Sequence, residues 1–579
     1  MISSDTANIH HELRNTSFFR DFIPNILFTG FVKICFCIIL MRTTNEQDHE
    51  SMLQYTEKTF EFSGFRICCK VHFPEHYMEK KSLPLLFVFN HGCELDIPDG
   101  ESPVIFFFRF DKKMLPGSKF EKTPSAPVKA LLELLDSVLK EYPIDFERLY
   151  LVGNGTGTCI CWELLRRRAG LFAGALLTGG GTDPEGFAPN ASTAIRLYHS
   201  ADDKEYPVDV TRNIYLMLMD AYCDVKLKEF SGTESVRDVL KNENAFSWLF
   251  GVRQKIFTSM PLPEKMNIIT LDSCGFTAEI LPEAGGNLFS LRHKESGIPL
   301  LREPHRPEEL FHTPERFGLP VLFPPNRIED GSFFFEGKIC RLPINQKLQN
   351  LHLHGLAVSK PWELVDSGPD FAELRFVFDE NAPEYDGFPF SFEILRRYEL
   401  TEKGLNDHVT VRNKGKNSMP LGLGFHSAFP AKEVKVRVGT GDFEIEINRK
   451  SFLPTGNCIG WKEYDPREQF DPFGKNVGFH AEAGELVLGN GTLLHGAELI
   501  YPEGTLYYIT DEKFGFWYTW NAGGLNDFLC LEPVSWMANA LNLPIPASRS
   551  GVRQLASGTE ISFFNRLEYL KTEEKRVHF

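Results

Sequence analysis

Phe276-Thr277-Ala278-Glu279-Ile280, Leu374-Arg375-Phe376-Val377-Phe378 and Phe443-Glu444-Ile445-Glu446-Ile447 place apolar side chains at every second position. Strand side chains point alternately to two faces, so this period marks strands with one face in a core. Runs of this kind recur from residue 266 to 579, each bounded by Gly, Pro, Asn or Asp, and convincing amphipathic helices are scarce. The expectation is an all-β domain over 266–579, too long for a small immunoglobulin-like module and therefore a sandwich of unusual size.

Upstream the pattern changes. Leu83 to Phe89 (LPLLFVF) and Arg148 to Val152 (RLYLV) are unbroken apolar runs, followed by Asn90-His91-Gly92-Cys93 and by glycines. They alternate with helical stretches at Val128 to Tyr142 and Cys161 to Arg168. Buried parallel strands with crossover helices read this way, which predicts an α/β domain over residues 52–257. Between the two patterns lies Thr258 to Lys265 (TSMPLPEK), with two prolines and no period, the expected linker. Two domains are also what 579 residues demand, because single cores stop growing at roughly 250–300 residues.

The bulk properties narrow the function. Fifty-one Phe against 11 Met favours sheet over helical bundles. A formal charge of −16 without a Lys/Arg-rich surface excludes nucleic acid as partner and suits a small or neutral substrate. The 12 cysteines lack C-x-x-C spacing and many sit in apolar runs, so buried free thiols in a reducing, cytoplasmic setting are expected, with no disulfide framework and no zinc. Residues 1–51 are ambiguous. Phe22 to Met41 is just long enough to cross a bilayer, but Lys33 interrupts it, only two arginines precede it and no cleavage site follows. A signal anchor, a packed N-terminal helix and upstream sequence added by a misassigned start all remain open. Contact with a membrane is expected only in the first case.

Within residues 52–257, Gly153-Asn154-Gly155-Thr156-Gly157 falls where a strand turns sharply into a helix. That is where α/β-hydrolases carry the G-x-S-x-G nucleophile elbow. The stretch Pro143 to Pro184 resembles the polyhydroxybutyrate depolymerase and feruloyl esterase branch of that family, and His199-Ser200-Ala201-Asp202-Asp203 resembles its acid-bearing loop. The nucleophile position, however, is Gly155, which has no side chain to attack an ester. The family's histidine is expected after Phe230-Ser231-Gly232, where Thr233-Glu234-Ser235 stands, and no His occurs between Asp202 and Phe257. Only Asp203 matches the triad, so a pseudo-hydrolase without acyl transfer is expected. The glycines lack the spacing and the Lys of a P-loop.

The second half carries four separated motifs: Phe323-Pro324-Pro325-Asn326-Arg327-Ile328, Leu353-His354-Gly355 with Pro361-Trp362, Gly422-Leu423-Gly424-Phe425-His426, and Cys530-Leu531-Glu532-Pro533. In this order they resemble the aldose 1-epimerase (galactose mutarotase-like) family over essentially all of 266–579. The resemblance implies a super-sandwich fold, a sugar substrate, no cofactor and interconversion of anomers. Such a reaction removes the proton of the C1 hydroxyl and protonates the ring oxygen, so the ring opens, rotates and recloses. It needs one base and one acid, for which an ionised carboxylate and a near-neutral histidine are suited. By the resemblance Glu532 is the base, His426 the acid, and His354 and Arg327 contact the sugar; Asn326 and Trp362 are further candidate substrate contacts. The family's substrate-binding Asp has no counterpart in Leu486 to Glu498, where His495 or Glu498 could substitute.

Taken singly, each residue has a structural reading: Arg327 in a Pro-rich turn, His354 beside a glycine, His426 in an apolar strand, Glu532 before a proline. Their joint order favours function. His352 and His354 form an H-x-H pair, but no third ligand stands at recognisable spacing and no metal is expected. Of the aromatics, Trp362 and Trp536 are singled out for stacking on a sugar. Two alternatives stand beside the epimerase: a non-catalytic carbohydrate-binding or sensing protein, and a hexose-6-phosphate 1-epimerase using Arg302, Arg316 or Arg341 for the phosphate. If the leading reading holds, Arg327, His354, His426 and Glu532 converge on one cleft, with His426 and Glu532 a sugar ring apart.

Overall fold

The run Leu83–Phe89 is buried at all seven positions, as an unbroken apolar strand covered on both faces must be. The computed structural model describes residues 53–90, 95–110, 120–183, 192–221, 223–254, 260–461 and 463–572. The leader 1–51 with its apolar stretch 22–41, and His91, Gly92 and Cys93, lie outside the described residues. In the first half, β1 (Thr56–Phe62), β2 (Phe65–His72), β3 (Leu83–Phe89), β4 (Val104–Phe108), β5 (Ile144–Asn154), β6 (Gly174–Thr178), β7 (Ala194–Ser200) and β8 (Val225–Phe230) form one sheet. Its order is β1-β2-β4-β3-β5-β6-β7-β8. Neighbours from β4 onward run parallel, while β1–β2 and β2–β4 are antiparallel.

Helices α1 (Ala126–Glu141), α2 (Thr156–Arg167) and α3 (Val208–Asp220) cover one face, and α4 (Val236–Asn242) and α5 (Ala245–Gly251) the other. The strand period divides β3 between the two cores. Leu85, Phe87 and Phe89 pack with Leu131, Ile160 and Ile214, whereas Leu86 and Val88 pack with Val239, Phe246 and Leu249. This is the hydrolase-like α/β sheet that the apolar runs imply, with the elbow glycine between β5 and α2.

Every strand pair described in the second half is antiparallel. One eight-stranded sheet runs Val321–Leu322, Gly424–Phe425, Phe528–Val534, Phe516–Trp520, His480–Ala483, Thr440–Ile447, Pro454–Gly460, with Ser427–Pro430 also on Phe528–Val534. A nine-stranded sheet holds Phe371–Phe378, Phe392–Thr401, Gly404–Asn413 and Glu560–Lys571 at its centre. Alternate residues of these long strands enter a single core, where Phe376, Ile394 and Val409 meet Phe425, Trp517 and Leu531 of the other sheet. That is sheet-on-sheet packing, a β-sandwich.

Leu53–Phe579 form one compact unit. The Pro-rich join is held against the second half: Met260 donates its N–H to the Phe311 carbonyl and is buried with Leu281, Phe289 and Leu310. Among the described cysteines all nine are free, and Cys69, Cys161, Cys340 and Cys530 are buried. Cys68, Cys274 and Cys458 are exposed, against the expectation of buried thiols. For Cys68 the strand alternation is the reason, since it points away from the core that Cys69 enters. No helix among the described residues is long and apolar enough to cross a membrane.

Candidate functional site

A short ladder brings two of the motifs together. Strand Arg327–Glu329 pairs antiparallel with Leu351–Leu353, Arg327 opposite Leu353. Asn326 (φ 61°) and His354 (φ 66°) are both left-handed at the same end of this ladder, and the His354 N–H donates to the Asn326 carbonyl at 3.0 Å. Gly355 follows at φ 75°, where a Cβ would overlap the Phe323 carbonyl, so the turn that aims His354 requires glycine. His426 sits between Gly424–Phe425 and Ser427–Pro430, both of which pair with Phe528–Val534. Glu532 lies on that central strand opposite Tyr518, and Tyr518 lies opposite His480. Side chains in register share a face, so His480, Tyr518 and Glu532 form a row across three strands.

The Nε2 of His426 is 3.1 Å from Oε1 of Glu532, with both side chains buried. The His354 ring meets His426 edge to face at 5.0 Å between centroids, and Trp520 flanks His426 at 6.0 Å. Arg327 lies alongside: Asn326 Oδ1 accepts from its backbone N–H at 2.9 Å and from Nη1 at 3.3 Å, and its guanidinium is 5.4 Å over the Phe452 ring. Its Nε, though buried, makes no hydrogen bond among the described residues. The four expected residues thus converge. His426 and Glu532 are in contact rather than a sugar ring apart, because their strands are direct neighbours.

Burial governs the protonation of this cluster. It pushes the Glu532 carboxyl up to about 8, with Arg327 opposing and Glu315 adding to the shift. It drives the His426 imidazole down to about 3, opposed by backbone carbonyls including that of Glu315 and assisted by the charges of Arg327 and Arg316. His354 is held well below the usual histidine range by burial and then by His426 and Arg327. His480 is held down by burial and by Arg327. An ionised Glu532 beside a near-neutral histidine was expected from solution values. Desolvation reverses the order, so at neutral pH the empty pair carries one proton, on the carboxyl side.

Several expected contacts fall elsewhere. Trp362 is a core residue: its Nε1 donates to the Ala357 carbonyl and its ring stacks on Phe376 at 5.6 Å, within the sandwich interior. Trp536 is buried with Nε1 on the Pro325 carbonyl. Asn326 orients Arg327 rather than presenting its oxygen to a ligand. Neither His495 nor Glu498 replaces the missing Asp; His495 faces the Phe514 carbonyl and Glu498 pairs with Arg437, both on a strand of the other sheet. His352 turns Nδ1 to the Pro343 carbonyl at 2.7 Å. The sequence reading missed His480, Tyr518 and Glu315, and among the aromatics suited to a sugar it singled out Trp362 and Trp536 rather than Trp520. His480 packs on the Tyr518 ring at 4.1 Å, and its buried Nδ1 has no hydrogen-bond partner in the chain. The alternation of Tyr518 and Trp520 on one strand face was the available signal, but strand register across the sheet is needed to read it.

The hydrolase-like half keeps its elbow without the chemistry. Gly155 has φ +55° between β5 and α2, and the Tyr206 ring lies 3.7 Å from where a side chain would start. Asp203 accepts from the backbone N–H groups of Glu205 and Tyr206 at 2.8 and 2.9 Å. His199, upstream of the stretch in which a histidine was sought, is 3.6 Å from Asp203. Its ring nitrogens are already engaged by Thr211 Oγ1 and the Tyr206 carbonyl, each at 2.8 Å. Gly155 offers no side chain, and the groups around it are engaged within the fold.

Comparison with known proteins agrees with the second half. The uncharacterised Escherichia coli K12 protein YihR is 31% identical over 125 residues, 21% of this chain and 38% of its own length. The uncharacterised YphB of the same organism is 24% identical over 225 residues, 37% of this chain and 72% of its own. A galactose mutarotase-like protein from Clostridium acetobutylicum superposes with a TM-score of 0.50 at 26% identity, over 53% of this chain and 98% of that one. The aldose 1-epimerase family model matches residues 267–567, more than half of the sequence and nearly the whole antiparallel half. On that match, the chain belongs to the aldose 1-epimerase family.

Proposed function

We propose that this protein interconverts the anomers of an aldose by acid–base opening of the ring at C1. The observation that carries this reading is the buried contact between His426 Nε2 and Glu532 Oε1 at 3.1 Å, bracketed by Arg327 and His354. The C1 hydroxyl oxygen and the ring oxygen are bonded to the same carbon. An acid and a base in mutual contact can therefore address both at once, and a ring-wide gap is unnecessary. Glu532 takes the proton of the C1 hydroxyl while His426 hands the proton of the pair to the ring oxygen; the C1–O5 bond breaks and the open aldehyde rotates before the steps reverse.

This requires the proton to move from the carboxyl, where burial favours it in the empty site, to the imidazole. Sugar hydroxyls that donate to Glu532, with the Arg327 guanidinium beside it, stabilise the carboxylate and favour that transfer. Neutral His354 and His480 and the Trp520 ring supply acceptors and an apolar face for a neutral sugar. An unphosphorylated substrate fits best, since Arg302 and Arg316 are tied up inside the protein. The free cysteines suit a reducing compartment such as the cytoplasm. NMR of freshly dissolved α-glucose and α-galactose tests the reading. Accelerated approach to the anomeric equilibrium, abolished in Glu532→Gln and His426→Asn, is expected; sugar binding without acceleration would favour the non-catalytic carbohydrate-binding alternative and refute it.

A further inference from the structure

The turn after the elbow helix of the hydrolase-like half lies against the same face of strand Phe528–Val534 that carries Glu532, beside Phe528 and Cys530. Ala169 packs with Ala428, Ala522, Phe528 and Cys530 in one buried cluster. Arg168 is 2.8 Å from Asp136 and 3.7 Å from Asp527, which immediately precedes that strand. The centre of the contact is Arg316. Its Nη1 donates to the Ala169 carbonyl at 2.9 Å, and Gly170, at φ 72°, approaches so closely that a Cβ would overlap Nη2. Gly170 is itself held by Gln254, whose Nε2 donates to its carbonyl at 2.8 Å.

From Arg316 the contacts lead directly to the site. Its guanidinium lies 5.4 Å over the Trp520 ring, and Trp520 packs edge-on against His426. The Arg316 carbonyl accepts from Arg302, whose own guanidinium is sandwiched between Phe317 and Phe528 at 4.5 and 4.1 Å. The preceding residue, Glu315, is buried, turns its carbonyl toward the His426 ring and carries a charge felt by Glu532. Clamping Arg316 from outside therefore fixes both the stacking partner of His426 and the backbone facing it. Buried arginines are costly unless their donors are satisfied, and here Nη1 finds a carbonyl from the other half of the chain while Nε stands 3.9 Å from the Glu315 carboxylate.

We propose that the hydrolase-like half serves as the outer wall of the sugar site, with the Ala169–Gly170 turn holding Arg316 as a positioning residue for His426. The inference uses the epimerase reading for its kinetic readout, and a second readout is independent of it. Gly170→Ala in the full chain is the cleanest variant, because Gly170 touches Arg316 and no group of the site. Gly170, Gln254, Glu309 and Arg316 line a small cavity beside the clamp.

Two quantities are read on folded Gly170→Ala and on Arg316→Lys: the anomer interconversion rate, and the ring nitrogen resonances of His426 in histidine-labelled protein. Expected are a kcat lowered about 10-fold or more with KM within about twofold, as for a group misplaced by a fraction of an ångström to an ångström, and shifted His426 resonances. Arg316→Lys, which keeps the charge and one donor, should fall between wild type and Gly170→Ala. Unchanged His426 resonances in either folded variant overturn the proposal. Wild-type protein that interconverts no sugar contradicts the epimerase reading instead, while the resonances still decide the clamp.

Discussion

The Gly155 elbow and the Glu532–His426 cluster are both held by specific backbone turns of one chain, and their polar groups differ in opposite ways. At the elbow the positive φ persists, but the polar groups around it are neutralised: Asp203 caps backbone N–H groups and both nitrogens of His199 are engaged. At the sandwich site a carboxyl, a guanidinium and several imidazoles remain buried, with Arg327 Nε and His480 Nδ1 unpaired within the chain. Leaving such groups buried without partners costs on the order of 1–3 kcal/mol each. A fold tolerates that cost where the groups have something to bind, so hydrogen-bond satisfaction distinguishes the elbow from the cluster proposed to bind a sugar better than backbone shape does.

That contrast can be broken or sharpened by experiment. The largest effect should come from removing one member of the pair: Glu532→Gln or His426→Asn lowers the anomerisation rate by about 10² to 10⁴, measured by NMR. Next is pH. Glu532 is raised to about 8, so above that pH the pair loses its proton and kcat/KM should fall about tenfold per unit, with a plateau at lower pH in a pH–rate profile. His480→Ala should raise KM about tenfold with a smaller change in kcat, if His480 orients the sugar that the family's missing Asp would hold.

Stability should follow the same titration. The folded carboxyl of Glu532 titrates near 8 and an unfolded one near 4.5, so the folded state holds the extra proton and stability falls as pH rises between those values. His426 has the opposite sign, losing stability as pH falls from 6.5 toward 3, so the two offset each other below 6.5. Between pH 6.5 and 8, wild type should therefore lose about 2 kcal/mol relative to Glu532→Gln in denaturant titrations. The smallest effect belongs to the elbow: Gly155→Ser should yield no p-nitrophenyl acetate hydrolysis above background, because His199 is tied to Thr211 and Tyr206.

Motif order was enough to gather Arg327, His354, His426 and Glu532, because each motif carries its own turn: the left-handed Asn326 and His354, and the glycine that follows. Strand alternation likewise foretold the antiparallel half, and the unbroken run Leu83–Phe89 a buried strand covered on both faces. What could not be read was register between strands distant in the chain. It placed His480 and Tyr518 beside Glu532 and left His495 on the other sheet. Trp362 was misassigned because one aromatic among many looks the same in sequence whether it faces a sugar or Phe376. The protonation order of Glu532 and His426 depends on burial, which no local motif encodes.

The central claim is that the chemistry belongs to the sandwich half alone. Its most direct test is the anomer exchange rate of wild type, Glu532→Gln and Gly155→Ser measured side by side by NMR. The account predicts exchange well above buffer for wild type and Gly155→Ser and a rate lower by about 10² to 10⁴ for Glu532→Gln; exchange at the wild-type rate in Glu532→Gln would contradict it.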